Sequence, residues 1–433
     1  MGTPRNGFSK RETFILSVDV GTTSIRCHVY DKSARIRGSC STKVSLLYPQ
    51  PGYVEIDPED LWKGFVTVVK GAVQDSGLQM CQMESLGIST QRATFITWDR
   101  NTGKPFHNFI TWQDLRAAEL ARSWNRSCAM KTVHGVMKML HFLTRQKRFL
   151  AASLVVFTTQ HVSLRLVWAL NNIPQLRQAV EDGSCYFGTI DTWLLYKLTK
   201  GLVHATDYSN ASATAIFDSY QVSYNFPLFY LSKNPETMYH GFHKILSLYP
   251  LVGWKIGADV VYLAEGNAAG TGAAIKWAQD LGEEEETNGF TIVNQFPIKE
   301  IKAKVNTILI LIFRNKQLFE VMLRETRIPI TKIRADGGVC TNNFIMQLTA
   351  DLLGRKIERP SHFDMSCLGA AFVAGLGTGY WRNQKELKKL LTTDQHFLPR
   401  RSKADWDKGG PYRGVLQSWE RALQRSMHWY SQP

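Results

Sequence analysis

The residues best suited to chemistry lie near the amino terminus, in Asp19-Val20-Gly21-Thr22-Thr23-Ser24-Ile25-Arg26. One carboxylate, three hydroxyls and one guanidinium cluster around a single glycine. A carboxylate at a strand end suits Mg²⁺, which takes hard oxygens and retains waters, so Asp19 is the candidate metal residue. Successive N–H groups in a tight turn make a concave nest for anions, and Thr22, Thr23 and Ser24 add hydroxyl donors. Arg26 is placed to reach back to a phosphate. This is not a Walker loop, because no Gly-Lys-Thr follows and no helix is signalled. An ordinary polar hairpin tip is the competing reading of the same residues.

Two further groups carry reactive or binding side chains. Arg92, in Thr90-Gln91-Arg92-Ala93-Thr94, and Trp112 with Asp114, in Thr111-Trp112-Gln113-Asp114, both follow short apolar runs. Two strand ends of this kind can line one cleft; a surface arginine and a packed tryptophan are the alternative. Near the other end of the chain, Asp336-Gly337-Gly338 precedes a helix beginning at Asn342. Strand, glycine turn and helix lets backbone approach a ring or ribose and turns a helix N-terminus toward an anion.

The elements that must position these groups are legible by period. Phe14 to Val18 is an apolar run and Ile25 to Tyr30 alternates, so a β-hairpin carries the first cluster on its tip. Val44 to Leu47 is expected as another strand. Asp57 then caps a helix that has Pro58 at its first position and Asp60 against the dipole. Strands are expected at Ser85–Ser89 and Phe95–Trp98. Helices are expected at Ala117–Trp124, Leu140–Leu150 and Ser163–Leu170, and within Cys185–Lys200, where Asp191 is the expected N-cap. After an unpatterned stretch, regular structure resumes at Tyr262. Helices follow at Gly270–Leu281, around Leu309–Leu323, at Asn342–Leu353 and from Ser366 to Gly379, the last with a Gly/Ala face that permits close packing.

With 433 residues the chain exceeds one ordinary core, and two or three domains are expected. A hydrophobic content of 44% and a charged content of 21% describe a folded globular protein. The formal charge of +15 is spread along the chain, with local excesses at Lys131–Arg148 and Lys385–Lys403 and no zinc-finger or RNA-binding signature. No nucleic-acid partner is therefore expected. Seven cysteines without a C-x-x-C pair argue against a disulfide framework or a zinc site and fit a reducing compartment. No transmembrane segment is expected, because the most apolar runs are too short to span a bilayer. A cytoplasmic protein follows as the default.

The motifs together resemble the FGGY carbohydrate kinases, and the glycerol kinases within that family. The matching stretches are Asp19 to Arg26, Pro51 to Trp62, Gly87 to Arg92, Thr111 to Asp114, Phe187 to Trp193 through Asn210-Ala211-Ser212, Tyr262 to Trp277, Ala335 to Gly338 through Phe344, and Ser366 to Trp381. The resemblance implies an α/β protein of two actin-like (ribonuclease H-like) domains with an interdomain nucleotide cleft. It implies ATP and Mg²⁺ as cofactors and transfer of a γ-phosphoryl group to glycerol or a related polyol. By this likeness Thr22, Thr23, Ser24 and Arg26 touch the phosphates and Asp19 serves the metal. Arg92 holds the polyol hydroxyls, Trp112 lies against the polyol carbons, and Gly337, Gly338 and Asn342 sit at the adenosine. A homo-oligomer is also common in the family.

The resemblance divides the chain into an amino-terminal domain, 11–248, and a carboxy-terminal domain, 249–433, each incomplete. Glycerol kinases carry Glu after the arginine of the Gln-Arg motif, and this chain has Ala93. The family's Gly-Asp-Gln-Gln segment, which bears the catalytic base, belongs between Phe217 and Tyr249, followed by a Thr-Tyr-Gly-Thr-Gly-like loop; this sequence has neither. The catalytic residue is thus unassigned. Residues 218–248 and 283–312 are expected to be the least ordered. Three readings stay open: a glycerol-kinase-type phosphotransferase, an inactive nucleotide-binding pseudokinase or scaffold, and a pentose or sugar kinase.

Overall fold

The computed structural model describes residues 12–146, 149, 153, 156–218, 223–224, 249–265, 312–313, 315–324, 330, 332–362, 364–400 and scattered positions from 414 to 425. The expected helix Gly270–Leu281, and nearly all of 218–248 and 283–312, lie outside the described residues. The chain forms two compact units, Met1–Glu265 with Ser366–Leu390, and Gly266–Met365 with Leu391–Pro433.

The first unit is built on a four-stranded sheet in the order β3-β2-β1-β5, comprising β1 (Phe14–Val20), β2 (Ser24–Tyr30), β3 (Ile36–Lys43) and β5 (Met83–Thr90). β1 is antiparallel to β2 and parallel to β5. A central strand covered on both faces accounts for its mainly apolar run, broken by Ser17. Leu61, Phe65, Val68 and Ala72 line the buried stripe of α1 (Pro58–Asp75), at helical spacing, and pack on Leu16, Val18 and Val20. Asp57 caps α1, accepting from the N–H groups of Glu59 and Asp60.

The alternate face of β1 receives the helix Met365–Gly377, where Ser17 Oγ donates to the Cys367 carbonyl at 2.6 Å. Gly87 on β5 makes this approach possible, since a Cβ there would lie 2.2 Å from the Ala370 carbonyl oxygen. Tyr380 and Trp381 tie the segment down by donating to the carbonyls of Thr13 and Lys32.

A second sheet runs β4-β7-β6-β8, with β4 (Glu55–Ile56), β6 (Phe95–Asp99), β7 (Phe109–Ile110) and β8 (Cys185–Thr189). The helices Val162–Asn172 and Pro174–Glu181 pack on it through Val162, Leu166, Ala169 and Leu176, against Phe95 and Ile110. Two further helices, α2 (Ala118–Arg126) and α3 (Cys128–Thr144), lie between β7 and these. The second unit holds a three-stranded sheet, Ile333–Arg334, Ile357–Pro360 and Thr393–Phe397, with the helix Asn343–Leu353. Its core comprises Phe313, Cys340, Ile345, Leu348 and Ile357.

Several elements depart from the sequence reading. Val44–Leu47 is not a strand; the third strand is Ile36–Lys43, whose Ser, Thr and Cys residues hide the alternation. The hairpin Tyr249–Ile256 and Asp259–Glu265 begins well before Tyr262. Thr189, not Asp191, is the N-cap of the helix Ile190–Leu198, because β8 extends to that residue. Packing also groups the chain differently from a boundary at 248/249. Tyr249–Glu265 and Ser366–Leu390 associate with the amino-terminal residues, the former through Val252 N–H donating to Ser212 Oγ at 3.1 Å.

Candidate active site

The turn between β1 and β2 closes with the Gly21 N–H donating to the Ser24 carbonyl at 2.9 Å. A Cβ on Gly21 would sit 3.2 Å from that oxygen, so glycine keeps the turn tight. Thr23 is exposed at the tip, while Thr22 and Ser24 are half-buried. Asp19 and Arg26 are directly opposed across the β1–β2 ladder, which sets carboxylate and guanidinium on one face of the sheet.

A closed ring of hydrogen bonds joins this turn to the other two motifs. Trp112 Nε1 donates to Thr22 Oγ1 at 3.2 Å. The Trp112 N–H donates to Thr94 Oγ1 at 3.2 Å, and Thr94 Oγ1 donates to Gln91 Oε1 at 3.3 Å. Gln91 Nε2 completes the ring by donating to the Gly21 carbonyl at 3.1 Å. Arg92 follows Gln91 directly and is half-buried. The structure therefore brings Thr22 and Trp112 into contact and places Asp19, Thr23, Ser24, Arg26 and Arg92 on the same unit around them.

Arg165 holds this arrangement from beneath, and sequence reasoning missed it. Its side chain is fully buried. Nη2 donates to the Ala93 carbonyl at 2.7 Å and to that of Gln160 at 3.0 Å. Nη1 donates to the carbonyls of Ile110 and Thr111, and Nε to that of Thr159. One guanidinium thus fixes the backbone just after Arg92 and just before Trp112. Burial pulls its pKa down to about 9, opposed by the field of Asp114. The available signal was its place one residue before Leu166 and three after Val162, on the apolar stripe of its helix.

Ala93 and Asp114 have structural surroundings. Ala93 is in the left-handed region at φ +60° and buried with Phe95, Ile110 and Val162. Asp114 is fully buried; it accepts from the Val54 N–H at 2.7 Å and pairs with Arg116 Nε at 2.8 Å. Arg116 also reaches Glu55 at 2.6 Å and lies over the rings of Tyr53 and Trp168. The carboxylate of the Trp-Gln-Asp motif is therefore committed to a buried ion pair instead of lining a cleft beside Arg92. Asp191, half-buried, accepts from the hydroxyls of Thr189 and Thr206. Burial, and then the nearby Asp207, push its pKa up to about 6.

The second unit carries the other glycine turn. Gly337 adopts φ +82°, and a Cβ at Gly337 or Gly338 would meet nothing within 4 Å. Asn342 caps the helix Asn343–Leu353, its Oδ1 accepting from the Ile345 N–H at 3.2 Å. Arg359 braces the turn by donating to Asn343 Oδ1 at 2.7 Å while paired with Asp394.

Residues 14–238 match the FGGY family of carbohydrate kinases, N-terminal domain, and residues 307–378 match its C-terminal domain. The chain belongs to the FGGY family of carbohydrate kinases. It is 69% identical to glycerol kinase 5 of Danio rerio over 530 positions, covering the whole of both chains. That alignment is longer than this FGGY chain of 433 residues, so the relative has residues that face gaps here. Glycerol kinase 2 of Thermotoga maritima is 28% identical, with 96% of this chain and 99% of the relative covered. Among solved structures, Plasmodium falciparum glycerol kinase with ADP superposes with a TM-score of 0.69 at 20% identity, covering 96% and 98% of the two chains. The FGGY chain thus shares the two-domain, actin-like α/β fold of these kinases, which are phosphotransferases with an alcohol acceptor.

Proposed function

We propose that this chain binds Mg·ATP and a glycerol-like polyol, and that it transfers the γ-phosphoryl group slowly. The ring joining Thr22, Trp112, Thr94, Gln91 and Gly21 carries this reading, because it couples a phosphate turn to the wall of an acceptor site. Thr22 Oγ1 accepts from Trp112 and keeps its own O–H to donate to a phosphate oxygen. Thr23 and Ser24 add two more hydroxyls, and Arg26 supplies positive charge. Asp19 is one hard-oxygen ligand, and among the described residues no cluster of three metal-binding side chains exists. That donor set suits Mg²⁺, whose remaining ligands are waters and phosphate oxygens. The bound metal neutralises charge on the transferring group. Gly337 and Gly338 leave room for an adenine or ribose, with Asn342 at the adjoining helix start.

Two features limit turnover. The methyl of Ala93 accepts no hydrogen bond, so glycerol loses the carboxylate partner that the resemblance assigns to this position. The sequence between Phe217 and Tyr249 contains no Asp-Gln pair. Without a base on the acceptor hydroxyl, the rate falls by about 10²–10⁴-fold. Calorimetric titration with Mg·ATP, paired with glycerol-dependent ADP release on the same sample, tests the proposal. Binding with slow, glycerol-dependent release supports it. Binding with no release that responds to any polyol makes the chain a pseudokinase, and absence of ATP binding by folded protein overturns the reading altogether.

A further inference from the structure

The helix α3 spans seventeen residues, CAMKTVHGVMKMLHFLT, and buries none of them fully. Met130, Val133, Met137 and Leu140 are half-buried on its inner side, where Met130 packs against a small core that includes Ala121 and Leu164. The outer side is also apolar. Val136, Met139, Phe142 and Leu143 are 42%, 56%, 66% and 67% exposed, spaced so that they share one face. Lys131, Lys138 and Arg145, all exposed and seven residues apart, run along one edge of that face. The Arg145 guanidinium lies 5.1 Å from the Phe142 ring centre. From Leu120 to Val180 the sequence contains no Asp or Glu.

We propose that α3 is a docking surface for an anionic lipid bilayer. An apolar face rimmed by cations, lying along the protein surface, is the pattern of an interfacial helix: the apolar side chains enter the headgroup boundary and lysine stems extend to the phosphates. Among the described residues no helix is long and apolar enough to cross a membrane, so the contact is peripheral. Charge complementarity selects the occupant. Two copies meeting through this face would bring their lysine edges together with no carboxylate on α3 to pair them. A nucleic acid would meet cations at the edge and bare hydrocarbon at the centre, whereas phosphate binding requires cations along the contact.

Co-sedimentation of the full chain with vesicles tests this. Vesicles of phosphatidylcholine mixed with phosphatidylserine should pellet the protein, with binding that weakens as salt rises, and pure phosphatidylcholine should pellet little. Lys131→Glu and Lys138→Glu should each weaken binding roughly fivefold or more. Phe142→Ser with Leu143→Ser should abolish it. Lys70→Glu, the same charge change at an exposed position of α1, should leave it intact. Circular dichroism and Mg·ATP titration of each variant establish that the fold persists. Equal binding to both vesicle types, indifference to the α3 substitutions, or failure of folded chain to pellet overturns the proposal. So does a dimer that Phe142→Ser dissociates in a chain that ignores vesicles.

Discussion

Thr22 is the residue through which the β1–β2 turn and Trp112 are joined, and the proposed function makes it a phosphate contact beside the acceptor. Thr22→Val removes both the acceptor for Trp112 Nε1 and the O–H that the proposal gives to a phosphate oxygen. Each bond contributes about 1 kcal/mol, so the Kd for Mg·ATP should rise roughly five- to thirtyfold by calorimetry. Thr22→Ser, which keeps the hydroxyl, should restore most of the loss; equal weakening by both would show that the hydroxyl does not carry the effect, and unchanged binding by Thr22→Val would remove Thr22 from the site. Asp191 gives a pH prediction. Its pKa is raised from 3.8 to about 6, so the folded state binds a proton more tightly than the unfolded chain. Its contribution is fully present below pH 4 and is lost as pH rises through about 6, on the order of 3 kcal/mol. Asp191→Asn stays neutral and should be more stable than the parent at pH 7 and nearly equal at pH 4, measured as urea midpoints. A difference independent of pH would show that burial does not control this carboxyl. At this scale the sequence announced groups with distinctive types near glycines: Asp19, the hydroxyls and Arg92. It concealed Arg165, because an arginine in a helix ordinarily reads as solvent-facing and its acceptors are carbonyls from three other segments.

Elements pack as closely as their smallest residues allow. The helix Met365–Gly377 carries a Gly/Ala face that is evident in the sequence, but its partner is not: Gly87 lies almost three hundred positions away in β5, where it reads only as a weak spot in a strand. Their contact explains why a segment from near the carboxy terminus belongs to the amino-terminal unit. Gly87→Ala places a Cβ 2.2 Å from the Ala370 carbonyl oxygen, a backbone atom that cannot rotate away. The strand and helix must separate, at about 3 kcal/mol or more by analogy with overpacked cores. Gly369→Ala, one residue from the same contact, meets nothing within 4 Å. It should be neutral or stabilising by up to about 1 kcal/mol through helix propensity. Urea denaturation of the pair separates the two cases; similar values would mean that β5 and this helix do not touch as described. The hairpin β1–β2 was legible because an apolar run and an alternating run flank one glycine turn. β3 was not, since half its positions are small polar residues that satisfy a sheet as well as a loop.

Across the whole molecule, the FGGY framework keeps the two glycine turns proposed to face ATP, while its sequence lacks the Gly-Asp-Gln-Gln segment to which the resemblance assigns the base. On the proposed function, binding and turnover are separable in such a chain, because the groups proposed to position ATP and acceptor, on β1, β2 and the Gln-Arg turn, do not remove the hydroxyl proton. Replacing residues 218–248 with the corresponding segment of a glycerol kinase that contains Gly-Asp-Gln-Gln should therefore raise glycerol-dependent ADP release by about 10²–10⁴-fold, the usual worth of a general base. The Kd for Mg·ATP should change far less, since the Gly21–Ser24 turn proposed to hold the phosphates is untouched. A rise in affinity with no rise in rate would mean that the inserted segment serves phosphate positioning alone. In that case the buried methyl of Ala93, held in a left-handed turn against Phe95 and Ile110, becomes the limiting feature, and a polyol that needs no carboxylate at that hydroxyl should outperform glycerol in the same assay.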